Sequence, residues 1–229
     1  MSYSTTHLRH VVSEDSFMKT NNKLLAIIAV INLTTLMVPC ANAELDVRGN
    51  FVGNLAATST YLFRGLAQTS NAAVQGGLGY NGTSGVHFAG WTSTVDNGSE
   101  LDVKLGFTNK INMFTYDAGL IFYVFPQSSG NNDEEVYLGA QLGAIGAKFS
   151  VAVDRGEYLE TDFTLPIESW LMNIHAGFNR VKNGEDYLDF NLAFNKDMKD
   201  FNFGFLISDT NLSGEDFRTI VTVSKDFTL

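Results

Sequence analysis

The stretch Leu101-Asp102-Val103-Lys104-Leu105-Gly106-Phe107-Thr108 decides the fold, because an apolar residue occupies every second position. Successive side chains of a strand point to opposite faces, so this stretch has one apolar face and one polar face. The same alternation recurs along the chain in segments close to the roughly 9–11 residues with which a tilted strand crosses a bilayer. A repeated pattern of this kind is typical of a sheet that closes on itself in a bacterial outer membrane.

The alternation predicts an all-β fold, namely an antiparallel transmembrane β-barrel of about twelve strands. An even number of strands suits a bacterial barrel with both chain ends in the periplasm. The predicted strands lie near residues 51–61, 72–80, 86–94, 100–108, 113–125, 134–142, 146–153, 158–165, 169–178, 186–194, 199–207 and 217–227.

The connections between these strands alternate in length. The longer, polar connections cover residues 62–71, 95–99, 126–133, 179–185 and 208–216. The tight ones cover residues 81–85, 109–112, 143–145, 166–168 and 195–198, and residues 154–157 are an exception, short where a long loop is expected. Short periplasmic turns and longer outer loops characterise outer-membrane barrels. A soluble β-sandwich or lipocalin-like barrel is the alternative, but it has no reason to sort its connections in this way.

The alternation also assigns faces. On strand 113–125 the side chains of Phe114, Leu120 and Phe122 are expected to face lipid, with Asp117 in the lumen. A charge on the lipid face at mid-depth costs about 2–4 kcal/mol, and no predicted strand carries one at a central outward position. The many Phe and Tyr residues near strand ends predict aromatic girdles at both interfaces. Strand 158–165 is ambiguous, because its acids alternate with only modestly apolar neighbours.

A secretory leader precedes the strands. A basic stretch begins at Met18, an apolar run covers residues 24–38, and Ala41-Asn42-Ala43 is a small-residue cleavage site. The apolar run is shorter than the roughly 20 residues of a membrane-spanning helix. We therefore expect an upstream non-structural extension over residues 1–17, a signal peptide over 18–43 that is cleaved after Ala43, and the barrel over 44–229.

Composition excludes some classes. The single cysteine, Cys40, lies in the leader, so the exported barrel cannot depend on a disulfide. The 25 acidic residues outnumber the 15 Lys and Arg, which gives a net charge of −10 and argues against nucleic acid as a partner.

The final strand ends on Phe227 and resembles the aromatic-ended strand by which the outer-membrane assembly machinery recognises its clients; an ordinary closing strand is the alternative.

The stretch Tyr61-Leu-Phe-Arg-Gly65, continued by 73–80, by Gly90-Trp91 and by 117–123, resembles the opening and middle of the TorF family. That family comprises porin-like exported proteobacterial proteins without an assigned function, and the resemblance covers nearly all of the mature chain. The resemblance implies the barrel architecture and, through the family name, a pore; it implies no particular solute.

Charged residues at inward positions predict a pore lining. Opposed acids and bases would set a transverse field in a narrow lumen, and because acids outnumber bases we expect a mild preference for cations. The alternative is that these residues pair and plug the lumen, since barrels of roughly eight strands are filled by side chains, those of about 16–18 leave a wide channel, and twelve lies between. The predicted lining comprises Arg64, Asp102, Lys104, Asp117, Lys148, Glu160, Asp162, His175 and Asp189.

Three loop features have two readings each. Arg64 and Gln68 either fold inward as a constriction or anchor a loop. The segment from Asp209 to Gly214 matches the first half of a calcium loop but lacks the acid at position twelve, so a polar turn is the simpler reading. The acidic run 133–135 is expected to be solvated, with divalent ions bridging it to lipopolysaccharide as the alternative.

An outer-membrane lipase needs a nucleophile and a histidine together at the lipid-facing edge. His87 and His175 are the only histidines after the leader, and no Gly-x-Ser-x-Gly motif occurs. We therefore expect a barrel that passively conducts small hydrophilic solutes, with no cofactor, no metal and no catalytic residue. The alternatives are a closed-lumen barrel that interacts with surface partners and a soluble periplasmic binding barrel.

Overall fold

A computed structural model of the protein describes residues 48–229. Within them, twelve antiparallel strands form a closed barrel in which each strand pairs with its neighbours in sequence. The predicted fold class is confirmed. The predicted upstream extension and signal peptide, residues 1–43, lie outside the described residues. No helix within residues 48–229 is long and apolar enough to span a membrane.

The strand bounds agree with the predicted ones to within a few residues. Two short extra strands, β2 and β3, lie in the connection after β1 and form a separate hairpin, and Ser129–Asn131 form one turn of 3-10 helix. In chain order the strands are β1 (Gly49–Thr58), β2 (Leu62–Phe63), β3 (Leu66–Ala67), β4 (Ala73–Gly82), β5 (Val86–Val95), β6 (Gly98–Ile111), β7 (Phe114–Val124), β8 (Asp133–Leu142), β9 (Ile145–Ala152), β10 (Gly156–Ile167), β11 (Trp170–Val181), β12 (Tyr187–Met198), β13 (Phe201–Thr210) and β14 (Arg218–Thr228).

Closure depends on β1, which pairs with β4 on one side and with the last strand, β14, on the other. The β1–β14 register runs from Val52 opposite Thr228 to Thr58 opposite Thr222. On the outer surface the Phe227 ring lies over Gly53, where a Cβ atom would overlap it. Because the first and last strands are paired, the barrel has no open sheet edge.

The two ends of the barrel differ. The short-turn end carries the connections 83–85, 112–113, 143–144, 168–169 and 199–200. The long-loop end carries 59–72, 125–132, 182–186 and 211–217, together with the short 153–155. The prediction of a longer loop over 95–99 is wrong: β5 and β6 extend to Val95 and Gly98, which leaves only Asp96 and Asn97 between them. Gly98 has a φ of 133°, and this conformation allows the tight reversal.

The outer surface is an apolar belt. Large apolar side chains point outward along the strands, as in Leu105, which is 50% exposed, and Phe203, which is 38% exposed. Within the described strands, charged outward side chains occur only near strand ends. At the short-turn end, Lys196 lies 5.0 Å over the Trp170 ring. Long basic side chains on aromatic rings at the border of an apolar surface are typical of a membrane interface.

Aromatic residues border the same end of the belt. The rings of Phe51, Tyr80 and Phe88 form a continuous group, with centroids 5.0 Å apart for Phe51 and Tyr80 and 5.1 Å apart for Tyr80 and Phe88.

The faces of the strand predicted over 158–165 are now assigned. In β10, Glu160 is buried while Leu159 and Phe163 are exposed, so the acids point inward.

Leu120→Arg tests the lipid-facing role of the belt. Leu120 lies in the middle of β7, 41% exposed, between the outward Leu105 and Val136. In lipid vesicles the substitution should cost about 2–4 kcal/mol, because the arginine must enter hydrocarbon. Met113→Arg is the control: this residue is 71% exposed in a turn, where the cost should be about 0–1 kcal/mol. Urea titration of folding in vesicles measures both, and equal costs for the two variants would contradict the membrane placement.

Candidate functional site

The connection 59–72 folds into the barrel. It forms the β2–β3 hairpin, in which Leu62 pairs with Ala67 and Phe63 with Leu66. Arg64 and Gly65 make the two-residue turn and both have positive φ, 49° and 79°. Two consecutive positive φ values define a type I′ turn, which matches the twist of a hairpin. Glycine accepts this conformation without strain, whereas arginine does so only because its surroundings hold it.

The hairpin tip reaches the far wall of the lumen. The Arg64 guanidinium forms an ion pair with Glu135 on β8 and lies 4.2 Å over the Tyr158 ring of β10. The Tyr187 hydroxyl of β12 donates a hydrogen bond of 3.1 Å to the Arg64 carbonyl oxygen. In the ring of strands these contacts lie across the barrel from β1, where the connection begins. The hairpin therefore crosses the lumen.

The base of the hairpin is tied to the long-loop end. The Tyr61 N–H donates to the Thr69 hydroxyl at 2.9 Å, and the Gln68 N–H donates to the Tyr61 carbonyl at 2.8 Å. Ser70 donates both its backbone N–H and its hydroxyl to the Asp96 carboxylate. These two bonds lower the pKa of Asp96, so the carboxylate holds the connection in its ionised form at neutral pH.

An aromatic and cationic layer packs against the hairpin near the long-loop end. Phe63 packs edge-on against Tyr123, with ring centroids 5.7 Å apart. The Arg155 guanidinium lies 3.9 Å over the Tyr123 ring, and its Nε donates to Asp133 at 2.9 Å. Cations over aromatic faces contribute most where water is excluded. This layer fills the lumen between the hairpin and the wall formed by β7 and β8.

A second charged group lies on β5 to β8. The Tyr137 hydroxyl donates to the Asp117 carboxylate at 2.8 Å, and the Lys104 Nζ lies 3.7 Å from the other carboxylate oxygen. His87 Nε2 is 3.4 Å from Oδ1 of Asp117. Asp117 has no solvent exposure. A carboxylate buried this deeply is tolerable only with such partners.

A third group lies on β9 to β12. Lys148 Nζ and Glu160 form an ion pair at 2.6 Å. His175 places Nδ1 at 3.1 Å from Asp162 and Nε2 at 3.1 Å from Asp189. The Tyr158 hydroxyl is 2.9 Å from the same Nε2. Both ring nitrogens are thus engaged. The three carboxylates outnumber the two basic side chains, and Asp189 also accepts hydrogen bonds from the Tyr158 hydroxyl and the Asn179 amide.

The opposite part of the inner wall carries small and mostly neutral side chains. Inward positions on β1, β4, β5, β13 and β14 include glycine, alanine and threonine, and several are partly exposed. Solvent therefore reaches the inner wall on this side, whereas the charged side is filled by side chains. The partly exposed residues include Ala56, Gly77, Gly79, Ala89, Gly204 and Thr222.

All of the predicted lining residues point inward. Most are nearly or fully buried, Asp102 and Asp162 are partly exposed, and Lys148 is 11% exposed at its side chain. Lys104 pairs with Asp117, Lys148 pairs with Glu160, and Asp162, His175 and Asp189 form one network. Arg64 pairs with Glu135, and Asp102 on β6 lies outside these groups.

One prediction is wrong in part. Of the acidic run predicted to be solvated, only Glu134 is exposed; Asp133 and Glu135 are 3% and 1% exposed. They occupy inward positions of β8 rather than a loop, and Arg155 and Arg64 neutralise them. Extending the strand alternation back through residues 133–137 would have predicted that Asp133 and Glu135 point inward. Nothing in the sequence indicated Arg155, which lies in a short connection.

The remaining candidates have structural roles. Asp209 accepts from the N–H of the next residue, and the Asn211 side chain accepts from the Leu188 N–H, so this segment is a hydrogen-bonded polar turn. His87 and His175 are 5% and 8% exposed and face the interior, away from the lipid-facing edge where a lipase would need them.

The comparisons with known proteins agree with this architecture. The model of the Gcw_chp family, described as "Bacterial protein of unknown function", matches residues 42–227. No curated protein sequence matches the chain. Among solved structures, the KdgM porin, also solved in complex with disordered oligogalacturonate, aligns with a TM-score of 0.60 at 10% identity, covering 78% of this chain and 99% of that chain. The Acinetobacter baumannii outer membrane protein Omp33 aligns at 0.53 and 7% identity, covering 80% and 100%.

These likenesses define the fold as a closed barrel of the type found in outer-membrane porins. The chain belongs to the Gcw_chp family.

Gly65→Ala tests the seating of the hairpin. A Cβ atom at Gly65 would lie 2.7 Å from side-chain atoms of Asp189 and Thr210, so the tip should be displaced from the lumen. Gly143→Ala is the matched control, since Gly143 also has a positive φ but nothing within 4 Å. The control should cost only the strain of a left-handed residue, about 1–2 kcal/mol.

Trypsin provides the measurement, because Arg64 is buried at the tip. Mass spectrometry should detect cleavage after Arg64 much faster in Gly65→Ala than in the native protein or in Gly143→Ala. Equal cleavage in the two variants would contradict the inserted position of the hairpin.

Proposed function

We propose that the protein is an outer-membrane, porin-like channel through which small hydrophilic solutes diffuse passively, with a mild preference for cations. The observation that carries this proposal is the combination of an apolar belt outside with a charged lumen crossed by the β2–β3 hairpin. An inward-folded loop that narrows a polar barrel is a means of filtering solutes by size and charge.

The membrane placement follows from the two ends of the barrel. We propose that the short-turn end and both chain ends lie in the periplasm, with the long-loop end outside, as in other bacterial barrels. Export by the signal peptide over 18–43, cleavage after Ala43, and assembly through the C-terminal strand ending at Phe227 belong to the same proposal. So does contact of the outer loops with lipopolysaccharide.

The solute path would follow the small-residue wall. Partly exposed inward residues such as Gly77, Gly79 and Gly204 leave room there, while the hairpin limits the width. Acids exceed bases among the inward-facing residues, which supports the cation preference. The acids are Glu100, Asp102, Asp117, Asp133, Glu135, Glu160, Asp162, Asp189, Asp197 and Asp226; the bases are Arg64, Lys104, Lys110, Lys148 and Arg155, with His87 and His175 in addition.

A closed-lumen barrel with a structural or surface-interaction role is the second candidate. The complete burial of Asp117 and Asp189 favours it, because side chains that line an open aqueous pore are normally accessible to solvent. The inward position of both histidines supports a protein without catalytic activity. The resemblance to the TorF family of porin-like proteins supports the channel, and it remains a resemblance.

Planar-bilayer recordings test the channel directly. The native protein should give small currents whose reversal potentials favour cations. Replacement of residues 62–67 by two glycines should raise the conductance severalfold, because the hairpin is removed while Tyr61 and Gln68, already hydrogen-bonded, keep the ends together. Arg180→Ala, which removes an exposed ion pair with Glu157 at the same end, should leave the conductance unchanged.

Heat-modifiable gel mobility verifies that each sample is folded. No current from folded native protein or from the hairpin replacement would exclude the channel and favour the closed barrel. Reversal potentials that favour anions would contradict the cation preference alone.

A further inference from the structure

Most of the buried acids in the lumen have a basic partner. These ion pairs compensate most of the negative charge on the filled side, where Asp162 and Asp189 share one histidine. The pairs are Glu135 with Arg64, Asp133 with Arg155, Asp117 with Lys104, Glu160 with Lys148, and Asp162 and Asp189 with His175.

Glu100 and Asp102 are the exception among the buried and half-buried inward acids of the described strands. They lie two residues apart on β6, so they share a face, and their carboxyl groups are within hydrogen-bonding reach of one another. Neither forms an ion pair with a lysine, arginine or histidine of residues 48–229. Glu100 is only 1% exposed, yet its Oε2 has no hydrogen-bond partner, and the same holds for Oδ1 of Asp102.

The charge balance points in the same direction. In the half of the lumen near the long-loop end, Glu100 and Asp102 share their surroundings with Asp133 and Glu135. The two guanidinium groups there, Arg64 and Arg155, form ion pairs with Glu135 and Asp133; the charge of Arg155, whose Nη2 has no hydrogen-bond partner, also acts on Glu100 and Asp102. Two guanidinium groups therefore face four carboxyl groups, and the two without an ion pair, Glu100 and Asp102, carry the excess negative charge. Two adjacent buried carboxylates repel one another unless a proton or a cation lies between them.

We propose that Glu100 and Asp102, assisted by the Tyr61 hydroxyl, bind a divalent cation of the calcium class. The Tyr61 side chain lies beside Glu100, where its hydroxyl can donate to the carboxyl group and orient it. An all-oxygen set with two negative charges suits hard divalent ions, which complete their coordination with water. Asp102 is partly exposed, so the site opens to the solvent of the lumen. This inference rests on the proposed function, since it places a cation site in the proposed path, and it specifies the origin of the cation preference.

The carboxylate–histidine group formed by Glu160, Asp162 and His175 is a weaker candidate. Its ligand atoms lie within 4.8 Å of one another, but Lys148 and His175 already neutralise its acids. The argument for Glu100 and Asp102 is the opposite, because these carboxyl groups have no ion pair and each keeps an oxygen without a hydrogen-bond partner.

Terbium luminescence of the detergent-refolded protein tests the site. Terbium replaces calcium and is sensitised by nearby aromatic rings, and here Trp91 faces Asp102 in the β5–β6 register with its ring 5.3 Å from that of Tyr61. We expect one terbium per chain, displaced by calcium. In the double variant Glu100→Gln/Asp102→Asn, binding should weaken by at least about tenfold, because both ligand charges are lost.

Glu134→Gln/Glu157→Gln is the matched control, since these two acids point outward at the same end. It should bind terbium as the native protein does. Calcium should also raise the Tm of the native protein and of the control, but not that of Glu100→Gln/Asp102→Asn. This Tm measurement remains informative if the terbium luminescence is weak. Absence of saturable binding, as expected if the two carboxyl groups share a proton, would overturn the proposal, and so would equal binding in the two double variants. Because binding is measured without current, a failure here is distinguishable from a failure of the channel.

Discussion

Closure of the sheet is the constraint on which the rest of the structure depends. Inside a bilayer each backbone N–H and C=O needs a partner within the protein, so a chain that crosses with strands must pair its first strand with its last. The β1–β14 register from Val52 to Thr58 supplies this pairing. Once the ring is closed, strand alternation sends every second side chain to the belt and every other one to the lumen.

The lumen then has to accommodate its own polar residues. A barrel of this size leaves limited space, and the β2–β3 hairpin takes up much of it near the long-loop end. Arg64 at the tip supplies the charge that Glu135 needs, while Tyr158 and Tyr187 hold the tip in place. The same contacts therefore narrow the lumen and stabilise the hairpin, and Arg64 also neutralises the buried Glu135.

Much of this architecture could be predicted because it follows from local alternation. The twelve strands, their faces and the inward position of residues such as Asp117 need only a period of two. The burial of Asp133 and Glu135 and the tight turn at 96–97 depended on where strands end, which alternation defines poorly. Their ion-pair partners could not be predicted, since pairing across the lumen depends on register and on a loop folding back.

Site-directed spin labelling along β12 tests the central claim most directly. The only cysteine of the sequence is Cys40, so single cysteines from 188 to 195 can be labelled cleanly once the leader is absent. In lipid vesicles, labels at Leu188, Phe190 and Leu192 should be accessible to oxygen and shielded from a water-soluble relaxation agent, whereas labels at Asp189 and Asn191 should be shielded from lipid-dissolved oxygen. Uniform accessibility along the strand, or access of the water-soluble agent to the outward positions, would contradict the barrel in the membrane.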